Sequence, residues 1–469
     1  MASSLEKTST FIDGEVSYWY RDIGLPALRP ALPGATSVDV AIVGGGLTGL
    51  WTAYYLKAAA PDLRIAILEK EFAGFGASGR NGGWLSAEPP GEPSRYAKTH
   101  GVDSVVRLQK EMFDAVDEVI RVLELEGIDA QVRKDGLLHV ATTPSQRVRL
   151  AKRMPSLRRY GWSERDLRWL DAAELAERVK IAGAVGATYS PHCARIQPAS
   201  LVRGLAAVVE RAGVAIYEGT EVTEVLPSRV VTRQGRVRAD FVIRALEGFT
   251  AGLKGFKRTW LPMNSSMIVT EPLPARAWDE IGWEGAELIG DEAHGFAYCQ
   301  RTSDGRIALG GRAVPYRYGS RWDERGQTMS GTFDQLRAQL ARLFPSARAV
   351  GIEHAWAGVL GVPRDWCASV GLDRDSGIGW AGGYVGHGVT STNLAGRTLA
   401  DLVLERDTDL VRLPWVGRRV RQWEMEPVRW LAVRGLYLAY AAADRRERAS
   451  GSATSSLIAT VADRVSGRR

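Results

Sequence analysis

Val38-Asp39-Val40-Ala41-Ile42-Val43-Gly44-Gly45-Gly46-Leu47-Thr48-Gly49 reads as a buried strand, a glycine turn and the opening of a helix. Gly44, Gly46 and Gly49 make the G-x-G-x-x-G spacing. In that spacing the first glycine permits the tight turn, the second lets a pyrophosphate approach the backbone, and the third lets the helix pack on the strand. The helix that follows, to about residue 60, then points its positive N-terminus at the phosphates. A second strand, Arg64-Ile65-Ala66-Ile67-Leu68, ends in Glu69, 20 residues after Gly49. An acid there accepts hydrogen bonds from a ribose hydroxyl. Strand, turn, helix, strand and acid together meet the context that the motif demands and predict a dinucleotide-binding α/β unit.

The remaining composition narrows the class. A chain of 469 residues is long enough for two or more domains, and 45% hydrophobic with 25% charged residues is ordinary for a globular protein. The formal net charge is +7, but Lys and Arg are spread along the whole chain, so no nucleic-acid partner is expected. Cys193, Cys299 and Cys367 are odd in number and widely spaced, with no C-x-x-C, which fits a reducing compartment. Residues 1–36 hold no apolar core of signal-peptide type, and no window reaches 18 uninterrupted apolar residues. We therefore expect a cytoplasmic protein with no integral membrane segment.

Working outward from the glycine turn, residues 1–36 read as a lead-in kept extended by Pro26, Pro30 and Pro33, with Ser17-Tyr18-Trp19-Tyr20 able to dock on the body. Helical character runs from 93 to 126, a strand is predicted at Leu137-Leu138-His139-Val140-Ala141, and a helix starts at Asp171. A helix at 199–212 and strands at 214–217, 221–225 and 238–245 resemble a return to the first sheet. Further helices are predicted at 332–343 and 392–404. The nucleotide-binding domain is thus expected from 37–92, 195–259 and 350–410. The second domain is expected from 93–194 and 260–349, with a helical tail at 411–469.

Four blocks carry a resemblance: 40–49 with Glu69-Lys70; Gly76-Ala77-Ser78-Gly79-Arg80-Asn81-Gly82-Gly83-Trp84; Gly310-Gly311-Arg312; and Gly382-Gly383-Tyr384-Val385-Gly386-His387-Gly388 before a helix. On these the chain resembles the FAD-dependent amine and amino-acid oxidases of the D-amino-acid oxidase and sarcosine oxidase type, and among them gamma-glutamylputrescine oxidases and related bacterial oxidases. The likeness runs from about residue 17 to about 430. It implies an α/β fold: a discontinuous Rossmann-type FAD-binding domain with an inserted α+β substrate domain built on an antiparallel sheet. It implies FAD held by Gly44, Gly46, Leu47, Thr48, Gly49, Glu69 and Lys70, and by the second block from Ala77 and Ser78 through Arg80, Asn81, Gly82 and Gly83 to Trp84 and Leu85. Val222, Gly248 and Gly383 follow, then Gly386, His387, Gly388, Val389 and Thr390. Four glycines in the eight residues from Gly76 to Gly83 also suit a backbone that approaches a ligand closely. A helix N-terminus after Gly386-His387-Gly388 can stabilise negative charge on a reduced flavin ring.

The chemistry that the resemblance implies is removal of a hydride from the α-carbon of a neutral amine by flavin, giving an imine that hydrolyses, with O2 reduced to H2O2. Aromatic walls favour the uncharged amine, and Trp84, Trp260, Tyr298, Trp356 and Tyr384 are the candidates, with His387 beside them. The catalytic set expected is His387, Tyr384, Trp84 and Tyr298. Sarcosine oxidases attach FAD through a cysteine near the position of 356–358; none stands here, so noncovalent FAD is expected, with Cys367 a small buried residue. Amino-acid-type relatives place a lysine where Thr390 stands, which favours an amine, or an acid whose carboxylate is held elsewhere. The six histidines show no H-E-x-x-H, so no metal site is expected. Three alternatives stay open: a flavin dehydrogenase feeding a quinone or carrier, a biosynthetic tailoring amine oxidase, and an RNA-modifying flavoprotein.

Overall fold

The computed structural model describes residues 11–311 and 316–466. Arg312 of the third block lies outside the described residues. Val40 to Val43 are buried on both faces, as a central parallel strand must be. Strand Thr36–Val43 pairs in parallel with Ile65–Leu68 on one side and Arg236–Arg244 on the other. Ala215–Tyr217 and Ile378–Gly382 extend the parallel core, and Val222–Leu226 joins through an antiparallel hairpin. Helix Leu47–Ala59 packs on Gly388–Val403 at a glycine: a Cβ on Gly396 would stand 2.7 Å from the Trp51 Cβ. The predicted helix at 392–404 therefore starts earlier, at the glycine block itself.

The second sheet has nine strands, ordered Ile12–Asp13, Ile352–Val362, Leu261–Thr270, Ile307–Gly311, Ala297–Arg301, Leu288–Asp291, Leu137–Ala141, Gly186–Ser190 and Arg168–Leu170. Two of its pairings are parallel, Ile12–Asp13 with Ile352–Val362 and Leu288–Asp291 with Leu137–Ala141; the others are antiparallel. Helix Ser330–Leu343 covers it with Leu336, Leu340 and Leu343.

Packing departs from chain order in two places. Helix Val102–Leu125, expected with the second domain, contributes Leu108, Met112, Val116 and Val119 to the core that holds Ile42 and Leu50. Its apolar stripe has that core to bury against. Strand Ile352–Val362, expected with the first domain, runs beside Leu261–Thr270 in the nine-stranded sheet. The tail forms two helices, Val428–Ser450 and Leu457–Ser466. Tyr18, Trp19 and Tyr20 are buried: Trp19 and Tyr20 dock against the 76–83 loop, and the Tyr18 hydroxyl donates to Asp304 at 2.8 Å.

Candidate functional site

A groove of about 220 Å³ runs over the ends of the parallel strands. Gly44, Gly46, Leu47 and Thr48 line its floor where the Leu47–Ala59 helix begins. Gly44 has φ +110°, and a Cβ on it would lie 2.6 Å from the Ala245 carbonyl. One on Gly49 would lie 2.2 Å from the Gly44 carbonyl, so Gly49 serves the turn from behind and does not line the groove. The Ser78 hydroxyl accepts from Leu47 N–H at 2.9 Å and occupies the first turn of the helix. Further along stand Glu69, Lys70 and, from the hairpin, Val222. The Glu69 carboxylate accepts Gly45 N–H at 2.8 Å and Glu71 N–H at 3.0 Å, so it also shapes the turn. Burial raises its carboxyl above the ordinary value. Lys70 is paired with Glu324, Glu221 and Glu71.

These features fit an adenine dinucleotide. The helix start and turn suit a pyrophosphate, the acid suits a ribose, and the groove is long enough to continue to Tyr384, Gly386, Gly388 and Val389. The sequence expectation puts Tyr384 in the substrate cavity. It lines the groove instead, buried, with its hydroxyl 3.0 Å from Thr48 Oγ1.

A second cavity, of about 290 Å³, adjoins the groove. Both are lined by Ala77, Asn81, Leu360, Gly386 and Val389, so the two spaces meet at the glycine-rich loops. Trp84 and Tyr298 form its aromatic wall, edge to face at 5.8 Å, with Phe296 beside Tyr298. Tyr298 Oη lies 3.0 Å from Ser265 Oγ. The Trp84 indole N–H is buried with no hydrogen-bond partner among the described residues. His387, the N-cap of Gly388–Val403, also faces this cavity.

Other expected residues sit elsewhere. Trp260 and Trp356 are buried in the core and line neither space; the Trp356 indole donates to the Arg80 carbonyl at 2.9 Å. Arg80 borders the aromatic cavity, but its guanidinium is committed to the carbonyls of Phe75, Ala357 and Glu324. Burial lowers its pKa to about 10. Asn81 braces its own loop through the Ser78 carbonyl and Gly83 N–H. Gly83, Leu85, Gly248, Gly383 and Thr390 line neither space, and Gly82 and Trp84 face the aromatic cavity. The glycine density of the loop has a packing cause: Cβ atoms on Gly79, Gly82 and Gly83 would meet Tyr20, Tyr298 and Gln300 at 2.4, 2.7 and 2.1 Å.

The charged part of the cavity is not visible in the sequence. Glu88, His139, Arg153 and Glu292 come together from four separate segments. Glu88 Oε1 accepts from Arg153 Nη2 at 2.7 Å and lies 3.1 Å from His139 Nε2, while its Oε2 is 3.8 Å from His387 Nδ1. Burial pushes the Glu88 carboxyl up, but His139, Arg153 and His387 outweigh it and hold the group well below the usual carboxylate range. One signal does stand in the sequence: a histidine in the middle of the apolar strand Leu137–Ala141. The cavity opens outward through a vestibule of about 740 Å³, partly walled by Ser455, Ala459 and Thr460 of the tail.

The tail is tied down by a buried network. Glu447 accepts from Arg149 Nη1 at 2.7 Å and Ser145 Oγ at 2.8 Å and lies 3.0 Å from His294 Nε2. Asp444 accepts the N–H groups of His294 and Gly295. Ligand atoms of His294, Asp444 and Glu447 lie within 4.8 Å of one another; these hydrogen bonds account for that closeness.

Comparisons place the chain among known proteins. The model of the DAO family, FAD dependent oxidoreductases, matches residues 39–402. Gamma-glutamylputrescine oxidoreductase of Escherichia coli (strain K12) is 30% identical over 396 residues, covering 82% of this chain and 88% of its own. Glycine oxidase of Geobacillus kaustophilus (strain HTA426) is 25% identical over 382 residues, covering 79% and 94%. The crystal structure of glycine oxidase from Geobacillus kaustophilus superposes with a TM-score of 0.67 at 24% identity, covering 82% of this chain and 99% of that one.

Proposed function

Because this chain belongs to the DAO family of FAD-dependent oxidoreductases, we propose that it oxidises a small amine at its α-carbon, giving an imine that water hydrolyses to an aldehyde or keto product. The observation that carries this reading is the junction of the dinucleotide groove with an aromatic cavity at Ala77, Asn81, Gly386 and Val389. FAD, when bound, would supply the acceptor for the hydride, with O2 as the final acceptor and H2O2 as its product. The protein's part is to bind, orient and desolvate. Gly44, Gly46, Leu47 and Thr48 would hold the pyrophosphate, Glu69 the ribose, and Val222 the adenine. The 382–388 loop and the start of Gly388–Val403 would frame the ring.

Trp84 and Tyr298 wall the amine off from water, which favours its neutral form. Glu88 stays ionised and holds His139 and Arg153 in place, with His387 at its other oxygen. The first sheet thus serves the cofactor and the nine-stranded sheet the amine. The FAD is noncovalent in this reading: all three cysteines are buried, none lines groove or cavity, and burial pushes the Cys367 thiol up to about 11. Three free thiols also support a cytoplasmic setting. The test is stoichiometry in air: one H2O2 formed per amine consumed supports the oxidase, and turnover without peroxide contradicts it.

A second reading, a dehydrogenase passing electrons to a quinone or carrier, has one observation in its favour. Met425, Val428, Leu431, Leu438, Leu457 and Val461 of the tail are exposed apolar side chains, the kind of surface that meets a membrane or a partner. Among the described residues no helix is long and apolar enough to cross a membrane. Turnover with a soluble quinone analogue, and none with O2, would favour it.

A further inference from the structure

We propose that Glu247 is a positioning residue for the cofactor: its carboxylate clasps the 382–388 loop to the nine-stranded sheet and so holds the shape of the groove. Residue 247 follows strand Arg236–Arg244, on the path from the first sheet into the turn Glu247–Gly252, and it lines the groove. Its φ is +43°, in the left-handed region that a non-glycine residue occupies at a cost. What that conformation achieves is seen in the side chain. Glu247 Oε1 accepts Gly361 N–H at 3.1 Å, and Oε2 accepts Gly383 N–H at 2.7 Å.

Gly361 belongs to strand Ile352–Val362 of one sheet; Gly383 follows strand Ile378–Gly382 of the other and opens the loop whose Tyr384, Gly386 and Gly388 line the groove. One carboxylate therefore joins the two sheets at the edge of the cofactor site. Its surroundings are cut to admit it. A Cβ on Gly382 would stand 2.7 Å from Glu247 Oε2, and one on Gly361 3.1 Å from the Glu247 carbonyl carbon. Burying a carboxylate is unfavourable unless it is hydrogen-bonded, and among the described residues the groups bonded to it are backbone amides of the segments that frame the groove. Burial accordingly pushes its carboxyl up to about 7 against the pull of those amides. Glycine would take this φ without strain; the side chain that Glu247 carries there is what reaches Gly361 and Gly383.

The experiment uses two variants of the full chain, each stripped of FAD and titrated with it. Glu247→Gly relieves the backbone and removes the clasp; Glu247→Gln keeps the size and exchanges one acceptor oxygen for a donor. Four quantities are read: the FAD dissociation constant, the visible spectrum of the bound flavin, the thermal midpoint of the FAD-free protein, and hydrogen exchange of the Gly383 amide. We expect FAD binding weakened about tenfold or more in Glu247→Gly, since the two hydrogen bonds that fix the loop are lost. We also expect a shifted flavin spectrum and faster exchange at Gly383, with a thermal midpoint unchanged or raised. Wild-type affinity and spectrum in Glu247→Gly would overturn the proposal. So would a loss of affinity that only tracks a fall in the thermal midpoint. Should Glu247→Gln fail to fold, Glu247→Gly decides alone. None of these readings depends on the amine, so their failure leaves the proposed reaction untouched.

Discussion

A methyl group on Gly46 would stand 2.9 Å from the Ser78 hydroxyl that caps Leu47 N–H. A larger side chain fills the phosphate end of the groove, so Gly46→Leu should yield a colourless protein that takes up no FAD; a yellow Gly46→Leu would refute the phosphate assignment. Glu247 makes a prediction about pH. Its carboxyl is raised from 4.5 to about 7 by burial. Below 4.5 it is protonated in both folded and unfolded chains, and its contribution to stability is full. Between 4.5 and 7 the unfolded chain has lost the proton and the folded one keeps it, so stability falls as pH rises through that window. Melting FAD-free wild type and Glu247→Gln across this window, from about one pH unit below it to one above, should show this slope in the wild type and its loss in the variant; parallel curves would count against it. Glu69 and the glycine spacing are readable in the sequence because they are neighbours in the chain. Glu88, His139 and Arg153 are not, because 51 and 65 positions separate Glu88 from its partners and each alone is an ordinary polar residue.

Helix Leu47–Ala59 crosses Gly388–Val403 where Gly396 meets Trp51 backbone and side chain; a methyl group on Gly396 would stand 2.8 Å from the Trp51 carbonyl carbon. Gly396→Leu overpacks this crossing and should cost about 1–3 kcal/mol or more, read as a lower denaturant midpoint with unchanged slope. An unchanged midpoint would mean that the helices can part freely. The 76–83 loop teaches a different lesson. Its glycines read as space for a ligand, yet Tyr20, Tyr298 and Gln300 fill the space beside three of them. Density of glycine signals close approach, but sequence does not say of what. Likewise Tyr384 and Trp84 are equally plausible walls in the sequence. Only the register of the loops sends Trp84 to the cavity and Tyr384 to Thr48. Trp84→Ala should raise KM for the amine far more than it lowers FAD affinity; equal losses would show that Trp84 serves the cofactor.

The two sheets and the tail meet around the aromatic cavity and its vestibule. The fold class is legible in the sequence because strand, turn and helix are local and strongly patterned. The partners of Val102–Leu125 and Ile352–Val362 are not, because both pack on segments far away in the chain. The tail is legible as helix but not as a wall, since nothing in its pattern names the vestibule. Arg149 joins it to the body through Glu447. Breaking a buried charge pair from one side costs about 3–5 kcal/mol, so Arg149→Met should loosen the tail. Protease should then cut within residues 451–456 before the body is cut, and a tail that stays resistant would contradict the network's role. The most direct test of the whole reading is anaerobic mixing of the yellow protein with separate amines: diamines and polyamines, gamma-glutamylated and simple monoamines, cyclic imino acids, N-methyl amino acids, and D- and L-amino acids. Bleaching of the flavin by one chemical class, with colour restored by air, is the expected result. A flavin that no amine reduces, yet that another class of reductant bleaches at once, would contradict it.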